Sequence, residues 1–235
     1  MPIAQLNRAI GCGPVGRGFE SLWAYHFPSL ICVKSVVLYY NAPLLFKAEN
    51  MFLYHYIRHP KTTGAITQSS KKLSRIITEN IDLENANNII ELGPGMGAFT
   101  KMILQKKKDS AKFFAVEINP NIANKLSLKF PNLDIAIGSA NHLIDMMKER
   151  DMESADVIIS GIPWSFLSLK EQSIMLKSVH NSLKDGGYFN TFAYHSPLGS
   201  AKVFKKKLYR VFPQVSISKS ILLNIPPAFV YTCKK

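Results

Sequence analysis

The run Ile89-Ile90-Glu91-Leu92-Gly93-Pro94-Gly95-Met96-Gly97-Ala98-Phe99-Thr100 passes from apolar residues through an acid into three spaced glycines, and then into a helical pattern. A short apolar run bounded by turn residues predicts a strand, and a glycine-rich turn that opens a helix predicts a site for a nucleotide-type ligand. Each glycine has its own physical reason. Gly93 permits a tight turn after the strand, Gly95 lets backbone approach a ligand with no side chain between, and Gly97 lets the helix pack closely. The G-x-G-x-G spacing is tighter than that of dinucleotide sites, and no Lys-Ser or Lys-Thr follows, which excludes a P-loop.

Outward from this turn, strands and helices alternate. Upstream, Leu73, Ile76, Ile77 and Ile81 share one helix face, with Ser69 or Ser70 placed to cap its start. Asn80, Asp82, Asn85 and Asn87 form a turn into the first strand, Asn88 to Leu92. Downstream, further strands are predicted over residues 112–116 (ending at Glu117), 133–137, 155–160 and 188–194. Helices lie between them at residues 120–130, 141–149 and 167–183, and one follows at 201–211. Residues 215–223 and 228–233 close the chain as strands with no helix between. This predicts an α/β, mostly parallel sheet with helices on both faces and an antiparallel hairpin at its edge.

A 47% hydrophobic content is enough for a full core. The net charge of +13 favours anionic partners, either nucleic acid or an acidic membrane surface. Cys12, Cys32 and Cys233 are scattered without metal-ligand spacing, so reduced thiols and no metal are expected. Residues 30–46 are interrupted by Lys34, Asn41 and Pro43 and make a poor membrane span.

Residues 1–50 read as a poorly structured extension, rich in Gly, Pro and aromatics. One encoding of Gly18-Phe19-Glu20-Ser21, GGG TTC GAA TCC, resembles the T-arm of a transfer RNA gene. The expectation is that Met1 to about His26 or further translates such a gene and that Met51 is a natural start; amino-terminal sequencing of the natural protein decides it. Without residues 1–50 the chain keeps 25 bases against 14 acids, a net +11. Residues 51–84 then form amino-terminal helices and residues 85–235 the main domain. The 51–60 stretch mixes aromatic and basic residues and suits either a membrane surface or packing across the domain.

Four candidate site elements lie at the carboxyl ends of successive strands, where ligands bind in open α/β sheets. They are the glycine turn preceded by Glu91; Glu117, 24 residues after Gly93; Gly138-Ser139-Ala140; and Ser160-Gly161-Ile162-Pro163-Trp164. A carboxylate at Glu117 is placed to accept both ribose hydroxyls of an adenosine.

With these residues quoted, the sequence resembles the class I S-adenosylmethionine-dependent methyltransferases. The resemblance implies a Rossmann-like seven-stranded fold and S-adenosyl-L-methionine as cofactor. It places Glu91, Gly93, Gly95 and Gly97 at the methionine end, Glu117 on the ribose, Ser139 and Ala140 near adenine, and Ser160 at the next strand end. Ser139 stands where the family often has Asp, so it serves either as a weaker adenine contact or as a helix N-cap.

Residues 91–100 resemble the ribosomal RNA adenine dimethylases, but those carry Asn-Leu-Pro-Tyr after strand four where this chain has Gly161-Ile162-Pro163-Trp164. The bacterial phospholipid N-methyltransferases resemble the chain better, through residues 63–70, Ser160 to Pro163 and residues 224–231. That likeness implies methylation of phosphatidylethanolamine by a cytoplasmic protein resting on the inner membrane face. RNA adenine methylation, and a catalytically silent lipid- or RNA-binding protein, remain as alternatives. Tyr194 and His195, just beyond strand five, are the candidate proton acceptors or amine-positioning groups. Trp164 either faces the developing quaternary ammonium by cation–π attraction or packs in the core. Arg58, Lys61, Lys71 and Lys72 either hold lipid phosphate or are solvated.

Overall fold

The computed structural model describes residues 66–164, 167–195, 200–222 and 227–235. The expectations for residues 1–50, for the 51–60 helix and for residues 224–226 lie outside them. Seven strands form one sheet in the order β3-β2-β1-β4-β5-β7-β6. They are β1 (Asn88–Leu92), β2 (Lys112–Glu117), β3 (Asp134–Ile137), β4 (Ala155–Ser160), β5 (Leu183–Tyr194), β6 (Gln214–Ile217) and β7 (Ala228–Lys234). The first five run parallel; β7 is antiparallel to both β5 and β6.

The helices are α1 (Ile66–Ile77), α2 (Ala98–Lys106), α3 (Pro120–Lys129), α4 (Leu143–Lys148), α5 (Leu169–Ser182) and α6 (Ser200–Val211). Strand side chains alternate between two apolar layers. Ile90, Leu92, Phe114, Ile158 and Phe189 face a core shared with α4, α5 and α6. Ile89, Val157, Ile159, Phe192 and Val230 face one shared with α1 and α2. Each fully buried large side chain contributes about 1.5–3 kcal/mol.

Helix starts follow local chemistry. The Asn119 side chain accepts the Asn121 and Ile122 N–H groups ahead of Pro120. Ser168 and Glu171 form a reciprocal capping box on α5. At the end of α1, the Thr78 hydroxyl donates to the Ser74 and Arg75 carbonyls. The buried Asn190 amide, in the middle of β5, donates to the Ile77 carbonyl at 2.7 Å.

Four boundaries differ from the sequence expectation. Helix α1 begins at Ile66, so Ser69 and Ser70 lie inside it rather than at its start. The predicted 141–149 helix divides into a 3-10 turn, Ala140–His142, and α4. Strand β5 begins at Leu183 and carries Asp185-Gly186-Gly187 within it, through a register shift opposite Ala155 and Val157 and a left-handed Gly186 at φ 77°. The closing strands pair antiparallel as expected, but the first is Gln214–Ile217 rather than 215–223, and β7 inserts between β5 and β6, so that of these two only β6 lies at an edge.

Candidate active site

Strand register places the predicted residues along one rim. Leu92 pairs with Val116 and Ser160, Glu117 with Ile137, and Ser160 with Thr191. The ladder runs one step past the strand ends: the Gly93 N–H donates to Val116 O (2.9 Å), Gly138 to Glu117 O (3.0 Å) and Gly161 to Leu92 O (2.7 Å). The glycine turn, Glu117, Gly138 and Gly161 therefore stand side by side, and Tyr194 lies three residues beyond Thr191.

The glycines divide by surroundings. All three of the turn have positive φ. A Cβ on Gly97 would meet Phe130 at 2.4 Å and Leu126 at 2.8 Å, so this glycine lets α3 approach. A Cβ on Gly95 would meet nothing within 4 Å. Bare backbone facing open space beside a carboxylate fits a cofactor with hydroxyl and ammonium groups. The carboxylate is Glu117, whose oxygens accept the Asn119 N–H (3.0 Å) and the Gly95 N–H (3.4 Å). Strand two and the glycine turn are thus joined through the group expected on the ribose.

Glu91 points to the opposite face of the sheet from Leu92, and is fully buried. One oxygen accepts the Thr100 hydroxyl at 2.6 Å; the other has no hydrogen-bond partner among the described residues. Burial pushes this carboxyl up to about 8; the Thr100 bonds oppose the rise and the Glu117 charge adds to it. Glu91 holds the first turn of α2 beneath the glycine loop rather than lining an open surface.

Three other expected residues turn inward. The Ser160 hydroxyl is buried and accepts the Ile162 N–H and the Trp164 indole N–H, both at 3.2 Å, so it shapes the loop after β4. Trp164 is 2% exposed, stacked on Phe204 (4.9 Å, 21°) and edge-on to Phe189. It is a core residue with no open ring face for an ammonium, which corrects the cation–π expectation. Ala140 is buried, and its carbonyl accepts the Ser178 hydroxyl at 3.0 Å. Ser139 has N-cap geometry, accepting the Asn141 N–H at 3.3 Å.

Tyr194 is half-buried with its ring edge-on to Phe192. His195 is exposed; its Nε2 pairs with the Ser220 hydroxyl at 2.8 Å, its N–H donates to Pro227 O, and its ring lies over Phe229. The segment that leads into β7 and the start of that strand thus fix the histidine at the rim.

Sequence reasoning missed several supporting groups. Thr100 was legible only as the helix residue of the motif, and Asn119 only as a helix start. Ile118, directly after Glu117, is 70% exposed and offers an apolar surface at the rim. Gln172 is buried and donates to the Trp164 and Leu167 carbonyls, bracing the same loop as Ser160; no sequence signal marks it. The Lys106-Lys107-Lys108 group is tied to carbonyls of Thr78, Ala111 and Asn85 and to the Asn87 side chain, so its ammonium groups are held against the fold. Lys71 and Lys72 are exposed. Among the described residues no group of three or more His, Cys, Asp or Glu is placed to hold a metal ion, and no helix is long and apolar enough to cross a membrane.

No family model matches the chain. Solved structures share its fold, two of which are these. One is an O-methyltransferase from Streptomyces achromogenes in complex with SAM (TM-score 0.56, 10% identity, 74% of this chain and 91% of that one). The other is a spermidine synthase in complex with a transition-state analogue (TM-score 0.56, 15% identity), of which the match covers 59% and which covers 70% of this chain. The chain has the class I S-adenosylmethionine-dependent methyltransferase fold, and with the relatives that follow it is an S-adenosylmethionine-dependent methyltransferase. In sequence it is 29% identical over 187 residues to an ornithine lipid N-methyltransferase from Singulisphaera acidiphila, covering 78% of this chain and 94% of that protein. It is 28% identical over 109 residues to a ribosomal RNA small subunit methyltransferase A from Hydrogenobaculum, covering 46% of this chain and only 40% of that one.

Proposed function

We propose that the protein transfers methyl groups from S-adenosylmethionine to the primary amine of an aminolipid headgroup, with phosphatidylethanolamine as the leading substrate. The observation that carries this reading is the likeness along 94% of a lipid N-methyltransferase, against 40% of a ribosomal RNA methyltransferase. The site geometry supports it. An adenine-methylating site of the kind the glycine motif resembles needs an asparagine side chain at the end of strand four. Here that position is Gly161, where a Cβ would lie 2.4 Å from the Gly93 carbonyl oxygen. The ends of β1 and β4 meet backbone to backbone, leaving no side-chain amide to grip a base.

When bound, S-adenosylmethionine supplies an electrophilic methyl on a sulfonium. The chain's part is to hold the cofactor, align a neutral amine and take up its proton. Gly93, Gly95 and Glu117 hold the cofactor. The rim beyond β4 and β5 positions the amine, with Tyr194 and His195 placed to accept or relay the proton. Transfer forms an N–C bond, breaks the S–C bond and leaves one proton to be removed.

The test is incubation of the full chain with methyl-labelled cofactor and liposomes containing phosphatidylethanolamine or ornithine lipid, alongside ribosomal RNA. Label in either lipid is expected. Label in RNA alone replaces the proposal with adenine methylation, and label in none of them points to a silent binding protein.

A further inference from the structure

Charge is distributed unevenly along the strand axis. At the amino end of the sheet, exposed Asp82, Glu84, Asp109, Asp151, Glu153 and Asp185 precede or start the strands. Bases at the same end offset them: Lys184 pairs with Asp156 and Arg150 with Asp134, while Lys106, Lys107, Lys108 and Lys112 are held on backbone carbonyls. The carboxyl end, where the site opens, is different. Away from the amino end, Asp145 and Glu171 are the exposed acids among the described residues, and Glu171 is turned back onto the Ser168 N–H as a cap. Exposed Lys170, Lys202 and Lys219 at this end form no ion pair among the described residues.

Large apolar side chains are exposed at the same end. Leu169 opens α5 and is 60% exposed, Val203 lies in the first turn of α6, and Leu222 follows β6 at 74% exposure. Their level is fixed by neighbours. The Lys207 ammonium donates to the Leu169 carbonyl and to the Ser173 hydroxyl, so Leu169 sits beside the middle of α6. Lys202 and Val203, five and four residues earlier on α6, therefore stand roughly 6–7.5 Å further out along the helix axis. Ile221 bridges to Ala228, which pairs with Tyr194, so Leu222 and Lys219 lie at the level of the candidate catalytic residues.

We propose that this open end, through Leu169, Val203 and Leu222 with Lys170, Lys202 and Lys219, is a docking surface for an anionic lipid bilayer. The inference rests on the lipid reading of the substrate. Apolar side chains enter the interface while lysines meet acidic headgroups. RNA would use the lysines and leave the leucines in water. Docking in this pose brings the rim that holds Tyr194 to the headgroup layer.

The experiment is flotation of the full chain with vesicles of phosphatidylcholine alone or with phosphatidylglycerol. The wild type, Leu169→Ser/Leu222→Ser and Lys202→Glu/Lys219→Glu are compared, together with methyl transfer to a short-chain aminolipid dissolved as monomers. Wild type is expected to float with the phosphatidylglycerol vesicles only, and each double variant to partition about tenfold or more weakly. Monomeric lipid is expected to be methylated at the wild-type rate by all three. Variants that float like wild type overturn the docking surface, and so does binding to RNA in preference to vesicles. If monomeric lipid is methylated while the variants still float, the docking surface fails and the lipid reading stands. If flotation is lost in the variants and no aminolipid is methylated by any form, the lipid reading fails and the surface stands.

Discussion

The carboxylate of Glu91 accepts the hydroxyl of Thr100 at 2.6 Å, across nine residues of chain and with both side chains fully buried. The bond closes the strand, the glycine turn and the helix into one ring, and leaves the second carboxylate oxygen without a partner among the described residues.

Stability should fall with rising pH because of this group. Burial holds Glu91 at about 8 in the folded protein, above its ordinary 4.5. Between those values the folded chain keeps a proton that the unfolded chain has lost, so the favourable contribution is complete below about 4.5 and is lost as pH rises towards 8. Glu91→Gln, which mimics the protonated form, should flatten the decline. Urea midpoints of the two proteins at pH 5, 6.5 and 8 measure this, and parallel trends would count against it.

Gly95→Ala and Gly161→Ala should fail differently. At Gly95 there is space, so the cost is the left-handed backbone, about 1–2 kcal/mol, together with weaker cofactor binding. At Gly161 a methyl meets the Gly93 carbonyl oxygen, which is backbone and cannot swing aside. A loss of about 1–3 kcal/mol is expected, with both strand ends displaced. Thermal unfolding with and without cofactor separates the two: the Gly95 variant should lose most of its cofactor-induced shift while keeping more of its basal stability.

Glu117→Gln keeps the shape but removes the charge that strengthens bonds to hydroxyl groups. Cofactor affinity should drop about tenfold by calorimetry, with little change in unfolding midpoint. An unchanged dissociation constant would remove Glu117 from the ribose.

Trp164→Ala should cost about 3–5 kcal/mol as a core truncation. Trp164→Phe should lower the unfolding midpoint modestly, since the bond to Ser160 is lost, yet retain turnover within about twofold. A large fall in kcat for the Phe variant at normal stability would restore the ammonium-facing role.

Tyr194→Phe and His195→Ala distinguish the two candidate proton acceptors. The one that takes the proton should lose about a hundredfold or more in kcat with little change in cofactor affinity, and its variant should lose the corresponding limb of the pH–rate profile. Equal, small losses in both would leave proton removal to solvent.

The sheet was legible because alternation and turn residues repeat locally, and strands β1 to β4 each carry a short, mostly apolar run. The place of β7 was not, because two consecutive strands joined without a helix read as an outer hairpin, while the second actually pairs with Phe189 and its neighbours in β5. The cofactor turn was legible because glycine spacing encodes backbone conformation directly. The inward turn of Trp164 and Ser160 was not: it depends on Phe204 and Gln172, contributed by helices later in the chain. The tying down of Lys106 to Lys108 was hidden for the same reason, since composition counts charges and not the carbonyls that hold them.

Asn190 gives the amino-terminal helix a mechanical link to the chemistry. Its amide grips the last carbonyl of α1 from within the strand that ends, four residues later, at Tyr194. A force on α1 is delivered to β5 through one short, buried bond. Anything that anchors or displaces that helix would be registered at the Tyr194 end of β5, so the two are best regarded as a lever and its load.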